Sequence, residues 1–164
     1  MSGAETGQVI TTVDELRQWV GKETGVSDWL EITQERVNLF ADATGDHQYI
    51  HVDPERAKQT FFGGTIAHGY LTLSLIPYLG SLKVEGPRIH LGGRMGVNYG
   101  LNRVRFPAPV PVGSRIRMHT RLVKVEEIEG GSGRAVQTTN EQTIEVEGQE
   151  RPACVAETLG RTYF

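Results

Sequence analysis

Cysteine is nearly missing from this chain. Cys154 is the only one in 164 residues, so no internal disulfide can form and no cysteine-rich metal site can be built. Set among Ala153, Val155 and Ala156, it reads as a buried structural thiol. There is no GxSxG elbow for a serine hydrolase and no HExxH zinc helix. No glycine-rich phosphate fingerprint follows a strand, which argues against a nucleotide cofactor. No apolar run is long enough to cross a bilayer, and no signal-peptide pattern opens the chain. Those two features point to a cytoplasmic protein. A basic excess is lacking too. The net charge is −3, which argues against nucleic-acid and anionic-membrane partners.

What is present centres on Thr65–Leu82, TIAHGYLTLSLIPYLGSL. From Gly69 onward Tyr70, Leu71, Leu73, Leu75, Ile76, Leu79 and Leu82 leave almost no polar side, the pattern of a buried helix. Its length, about 20 Å, is too short for a membrane span. Pro77 removes the hydrogen bond to the Leu73 carbonyl and should bend the second half. Gly69, following His68, leaves the first-turn N–H groups open to another molecule.

In chain order, a disordered N-terminus is expected over residues 1–12, then one domain over 13–164. Thr12 and Glu15 have capping-box spacing ahead of a short helix that ends over Gly21–Gly25. Thr33 caps a second helix, with Val37, Phe40, Ala41 and Thr44 on one face and Gly45 as its stop. Asp53-Pro54 starts a third. The second half alternates instead. Val97, Tyr99 and Leu101 slip phase to Val104 and Phe106, which suggests a bulge. After a proline-rich connection come strands over Ile116–Leu122, Val136–Val146 and Ala153–Leu159, with a glycine turn over Gly130–Gly133. Helices followed by an antiparallel meander make the class α+β. A curved sheet of four or five strands around one helix leaves a face to cover, so a homodimer is expected.

Asp46 and His51 lie five residues apart in the segment Asp46–Val52, which reads as a tight irregular loop. A carboxylate beside an imidazole can hold a water and exchange protons near neutral pH. Equally, Asp46 can cap a turn while His51 fills a polar gap. His47 and His51 stand at i, i+4, a metal-ligand spacing only on a helix, and the flanking breakers argue against one.

The run Phe40-Ala41-Asp42-Ala43-Thr44-Gly45-Asp46-His47-Gln48-Tyr49-Ile50-His51, with Ala57 beyond it, resembles the signature of the MaoC-like family of (R)-specific enoyl-CoA hydratases, also called hydratase 2. Phe62–Gly69 is similar to that family's approach to its central helix. Val97–Leu101 and Arg105–Val110 resemble the branch related to nodulation protein N. The resemblance implies a hot-dog fold and reversible hydration of trans-2-enoyl thioesters in fatty-acid metabolism, with no cofactor and no metal. Carried over by residue, it implies Asp46 and His51 as the catalytic pair and Gly69 as oxyanion donor. Tyr49, Ile66, Asn98 and Tyr99 are then candidates at the substrate, an acyl-CoA or acyl-carrier thioester. His68 is expected to hydrogen-bond the loop. Arg103, Arg105, Arg115, Arg117 and Arg121 either meet coenzyme A phosphates or form a solvated outer face. The family usually has Asn-Pro where this chain has Gln48-Tyr49, which frees φ at 49 and sets a bulky ring beside the cleft. A hot-dog thioesterase, an acyl-carrier-protein dehydratase and a non-catalytic thioester binder stay open as alternatives.

Overall fold

The computed structural model describes residues 7–130 and 133–164. The helices are α1 (Val13–Arg17), α2 (Gln34–Thr44), α3 (Tyr49–Val52), α4 (Pro54–Ala57), α5 (Gly69–Ser74) and α6 (Ile76–Ser81). Five short strands come first: β1 (Val9–Ile10), β2 (Glu23–Ser27), β3 (Leu30–Glu31), β4 (Val84–Glu85) and β5 (Arg88–Ile89). Four long ones follow: β6 (Met95–Arg105), β7 (Arg115–Gly130), β8 (Gly133–Val146) and β9 (Cys154–Tyr163).

The expected caps are in place. Thr12 and Glu15 form a reciprocal capping box on α1. The Thr33 hydroxyl accepts the Arg36 N–H, and Gly45 closes α2 at φ 80°, a left-handed conformation that favours glycine. Asp53 caps α4, with Pro54 at its start.

Seven of the strands form one antiparallel sheet in the order β4-β2-β7-β8-β9-β6, with β3 also paired to β7. The chain is α+β with a hot-dog architecture, the curved sheet holding the α5–α6 pair. The short strands were not foreseen, because two-residue segments carry no alternation to read. The phase slip in β6 is real, with register shifts at Asn98/Gly100 and Leu101/Arg103.

Of the tail expected to be disordered over 1–12, residues 1–6 lie outside the described residues, as does the centre of the Gly130–Gly133 turn. The rest of the tail corrects the expectation. β1 pairs in parallel with β5, and Ile10 is fully buried against Leu16 and Leu122. A loose tail would leave that side chain in water.

The central helix also departs from the simple picture. It divides at Leu75 into α5 and α6. The ladder runs Leu75 to Leu71 and Leu79 to Leu75, while Pro77 has no N–H to offer Leu73. Nor is it buried all round: Tyr70 is 71% exposed and Tyr78 is 45% exposed. Leu71, Leu75 and Leu79 form the buried stripe, packed in one cluster with Ile116, Met118, Ile144, Cys154 and Ala156. Burial pushes the Cys154 thiol up to about 11, as suits an inert structural cysteine.

Leu79 lies at the centre of that cluster and is fully buried. Leu79→Ala is expected to cost about 2–5 kcal/mol, seen as a lower urea midpoint at unchanged slope. Tyr78→Ala, on the exposed side of the same turn, should shift the midpoint far less.

Candidate functional site

The segment after α2 is more ordered than the sequence suggested. Residues 49–52 form α3, so His51 sits on a single helical turn and not on an irregular loop. Gln48 stands at the N-cap and Tyr49 at the first helical position. Asn-Pro suits those two places, since Asn caps strongly and Pro opens helices well. Here Gln48 makes no side-chain cap bond. Instead its N–H donates to Asp46 Oδ1 at 3.3 Å, and the His51 N–H reaches the Gln48 carbonyl at 2.9 Å. The turn therefore forms without the proline. The Tyr49 ring is covered by the Arg56 guanidinium, 4.1 Å from its centroid.

Two neighbouring segments fix His51. Its Nδ1–H donates to the Ile66 carbonyl at 2.7 Å, while the Ile66 N–H donates to the Ile50 carbonyl at 3.0 Å. That bond leaves Nε2 as the acceptor. Gln34, at the start of α2, donates from Nε2 to the His51 carbonyl at 2.7 Å and accepts the Thr65 hydroxyl at 2.6 Å. Burial is the main cause that pushes the His51 imidazole below its ordinary range; the Ile66 carbonyl opposes this and neighbouring His68 adds to it.

His68 is the second imidazole of the site. It is buried, and its ring stacks on His51 with centroids 3.7 Å apart at 26°. Its Nε2–H donates to the Asp46 backbone carbonyl at 2.9 Å. The loop-holding bond expected of His68 is present; the stacking was not anticipated. Its Nδ1 is buried without a partner among the described residues. The Asp46 side chain is 55% exposed and reaches outward, one carboxylate oxygen 4.0 Å from His68 Nε2. Ligand atoms of Asp46, His51 and His68 all come within 4.8 Å of one another.

His47 points elsewhere. Its Nε2 meets Asp42 at 2.8 Å, a hydrogen bond that is the main cause of its raised pKa. The His47–His51 spacing therefore does not converge on one ion. The Asp46–His51–His68 set has a metal-like composition, but its geometry fits an ion poorly. Imidazole nitrogens bind metals in the ring plane at about 2.0–2.1 Å, and two stacked rings direct their lone pairs side by side. One nitrogen of each ring is also already tied to a carbonyl.

Gly69 follows His68 as the first residue of α5, so its N–H has no intrahelical acceptor. A Cβ built on Gly69 would lie 3.1 Å from carbons of the Phe106 ring. Phe106 in turn meets Tyr70 edge-on, with centroids 6.0 Å apart. Beyond Gly69 a cavity of about 670 Å³ lies between α5–α6 and the sheet. Leu73, Ser74 and Pro77 line one side, and Asn98, Gly100 and Gln142 are among those opposite. Asn98 is thus at the cavity. Tyr99 is not among its lining residues; its ring lies 3.3 Å from the Arg161 guanidinium and is half exposed.

The arginines divide. Arg115, Arg117 and Arg121 pair across the ladder with Glu147, Glu145 and Glu141, the solvated-face arrangement. Arg103 and Arg105 are exposed on β6 beside Phe106, with no carboxylate partner among the described residues. Gln34 escaped the sequence reading, and Phe106 was read only as part of a strand, without its contact at Gly69. An exposed-looking Gln in a first helical turn and a Phe after a strand give no spacing signal toward residues tens of positions away.

The sequence profile of the MaoC like domain matches residues 15–146. The chain is 55% identical over 150 residues to 3-hydroxyacyl-thioester dehydratase Z of Mycobacterium tuberculosis, covering 92% of this chain and 95% of that one. It is 50% identical over 139 residues to nodulation protein N of Rhizobium leguminosarum bv. viciae, covering 84% and 82%. Among solved structures it is similar to a monoamine oxidase regulatory protein from Archaeoglobus, with TM-score 0.73, 20% identity and 96% and 97% coverage. The curved sheet around the α5–α6 pair is thus the fold of that neighbour, and the profile spans most of the chain. The chain belongs to the MaoC-like dehydratase family.

Proposed function

We propose that this protein is an (R)-specific enoyl-thioester hydratase, equally a 3-hydroxyacyl-thioester dehydratase, with Asp46 and His51 as its catalytic pair. The observation that carries the reading is the convergence of their polar atoms within 4.8 Å, beside the helix that begins at Gly69. The name of the mycobacterial relative, 3-hydroxyacyl-thioester dehydratase Z, supports the reaction class.

In this reading a water sits between the Asp46 carboxylate and His51 Nε2. Its oxygen adds to C3 of the trans-2-enoyl thioester as it gives up a proton to the pair. The thioester carbonyl gains negative charge and accepts the Gly69 N–H. A proton then passes from the pair to C2, giving the 3-hydroxyacyl thioester and restoring both groups; the reverse is dehydration. General acid–base catalysis of this kind contributes about 10²–10⁴-fold, and loss of one oxyanion donor costs about 10²–10³-fold. Ile66 acts through its carbonyl, which sets the His51 tautomer, and Tyr49 and Asn98 border the substrate. Tyr99 belongs to the substrate region only through its place on β6. Arg103 and Arg105 are the cations left for a carrier phosphate. The reading includes a cytoplasmic location, suited to a thiol such as Cys154 that stays unpaired.

The active unit in this reading is a homodimer joined along β6. That strand ends the sheet and exposes Met95, Tyr99 and Leu101 on an eleven-residue edge with Phe106 just beyond it. An open edge of that length recruits another strand. Light scattering at micromolar concentration is expected to give twice the mass of the chain; a monomer would remove this part of the reading.

Asp46→Asn and His51→Gln should each lower hydration of an enoyl thioester by about 10²–10⁴-fold. Circular dichroism should stay native, and the double variant should be little worse than the poorer single one, because both groups serve one step. Independent multiplication of the losses would separate the two groups mechanistically.

The pH dependence follows from His51. Its neutral form persists below the ordinary imidazole value of about 6.5, so the acid limb of kcat/KM should lie below that value. Unfolding releases His51 to take up a proton at higher pH than the folded protein allows. Its contribution to stability is therefore retained above about pH 6.5 and falls as the pH drops through that value. A pH-rate profile and urea midpoints at matched pH check both.

A further inference from the structure

The concave face of the sheet changes character halfway along its strands. Where it meets Leu71, Leu75 and Leu79 it presents Met118, Ile144, Cys154 and Ala156. Side chains two residues apart share a face, and the next steps on β7, β8 and β9 place Thr120, Gln142, Asn140 and Thr158 there. The register pairs Thr120 with Gln142 and Asn140 with Thr158. These residues and Asn98 form the sheet side of the 670 Å³ cavity. A buried apolar core would not be built this way.

Internal hydrogen bonds use only part of their capacity. The Thr120 hydroxyl donates to Gln142 Oε1 at 2.7 Å. The Asn140 amide donates to Thr138 Oγ1 at 3.3 Å, and the Thr158 hydroxyl donates to the Asn140 backbone carbonyl at 3.4 Å. The Gln142 amide N–H groups, the Asn140 amide oxygen and the Asn98 side chain remain, with no protein partner among the described residues. Gln142 is itself buried. Among the described residues no charged side chain lines the cavity.

The opposite wall is Leu73, Ile76, Pro77 and Gly80. Leu73 is one turn beyond Gly69 on the same helical face, about 6 Å further along the axis. An acyl chain whose thioester carbonyl meets the Gly69 N–H therefore runs down this face into the cavity. A plain alkyl chain would strip water from Gln142 and Asn140 and return no hydrogen bond, which is costly. A carboxylate would arrive without a counter-charge.

We infer that the cavity selects acyl chains carrying a neutral oxygen function, a hydroxyl or keto group, placed where Gln142 and Asn140 can bond it. This rests on the hydratase reading, which sets the thioester at Gly69. The remaining donors of Gln142 and the amide oxygen of Asn140 match a hydroxyl from both sides, and the Gln142 donors alone serve a ketone.

The test uses the full chain and saturated acyl-CoA thioesters in series of increasing length, each as the alkyl, terminal hydroxyl, terminal keto and terminal carboxyl form. Calorimetry reads affinity, so the outcome does not require turnover. At the best length the hydroxyl or keto form should bind about 10-fold tighter than its alkyl counterpart, the worth of one net hydrogen bond, and the carboxyl form weaker than both. Gln142→Leu should erase or reverse that ratio, and Asn140→Leu, at a half-buried position, should reduce the hydroxyl preference if the first variant fails to fold. The proposal is overturned if the alkyl form binds as tightly at every length, or if the ratio survives Gln142→Leu. The same chains as trans-2-enoyl thioesters separate the two readings. A preserved affinity ratio without hydration would defeat the hydratase reading and leave the selectivity standing. Hydration without an oxygen preference would do the reverse.

Discussion

The face-to-face contact of His51 and His68 is the constraint on which the site depends. Each ring has one nitrogen fixed by a backbone carbonyl, His51 by Ile66 and His68 by Asp46. The two donors come from different segments, and each acceptor lies beside the other ring's own loop. The stack thereby ties α3, the Asp46 turn and the start of α5 into one unit. Two imidazoles with centroids 3.7 Å apart do not readily carry charge together. Burial favours the neutral form of His51. The unpartnered His68 Nδ1 is a cost, about 1–3 kcal/mol for a buried unsatisfied group. Such costs gather at functional sites.

Around that unit the fold separates two duties. Leu71, Leu75 and Leu79 anchor the helix pair to the apolar half of the sheet. The neighbouring stripe, from Leu73 through Pro77 to Gly80, faces the cavity. The proposed chemistry lies at the start of α5, and the cavity extends along both helices toward Asn98 and Gln142. Changes at the far end need not move the Asp46–His51 pair.

Much of this was legible in the residues. Thr12, Thr33, Gly45 and Asp53-Pro54 announced helix ends because capping is local chemistry. The long strands β6 to β9 showed their alternation, and Pro77 marked where the central helix would yield. Asp46 and His51 stood out as a pair from spacing and resemblance together, and the fold does bring their polar atoms within 4.8 Å. The misses share a cause. β1, β5 and the other short strands exist only through long-range pairing. α3 forms although Gln48-Tyr49 lacks the usual helix-opening residues, because Asp46, Gln34 and Ile66 hold it from outside. Gln34, Phe106 and the His51–His68 stack join positions far apart in sequence, which no local pattern encodes. Tyr70 looked like core because apolar composition does not distinguish a buried side from one kept for a cleft or a partner.

Gly69 shows how this architecture limits its own improvement. Replacing an exposed helical glycine by alanine ordinarily stabilises a protein, by roughly 0.4–1 kcal/mol. Here the added methyl would press on the Phe106 ring at 3.1 Å and displace the wall that closes over the helix start. At Gly80, in the second helix of the pair, the same methyl would meet only Met118 at 3.7 Å, an ordinary contact. The central helix therefore has one glycine whose replacement stiffens the backbone without strain and one whose replacement must first move a neighbouring ring.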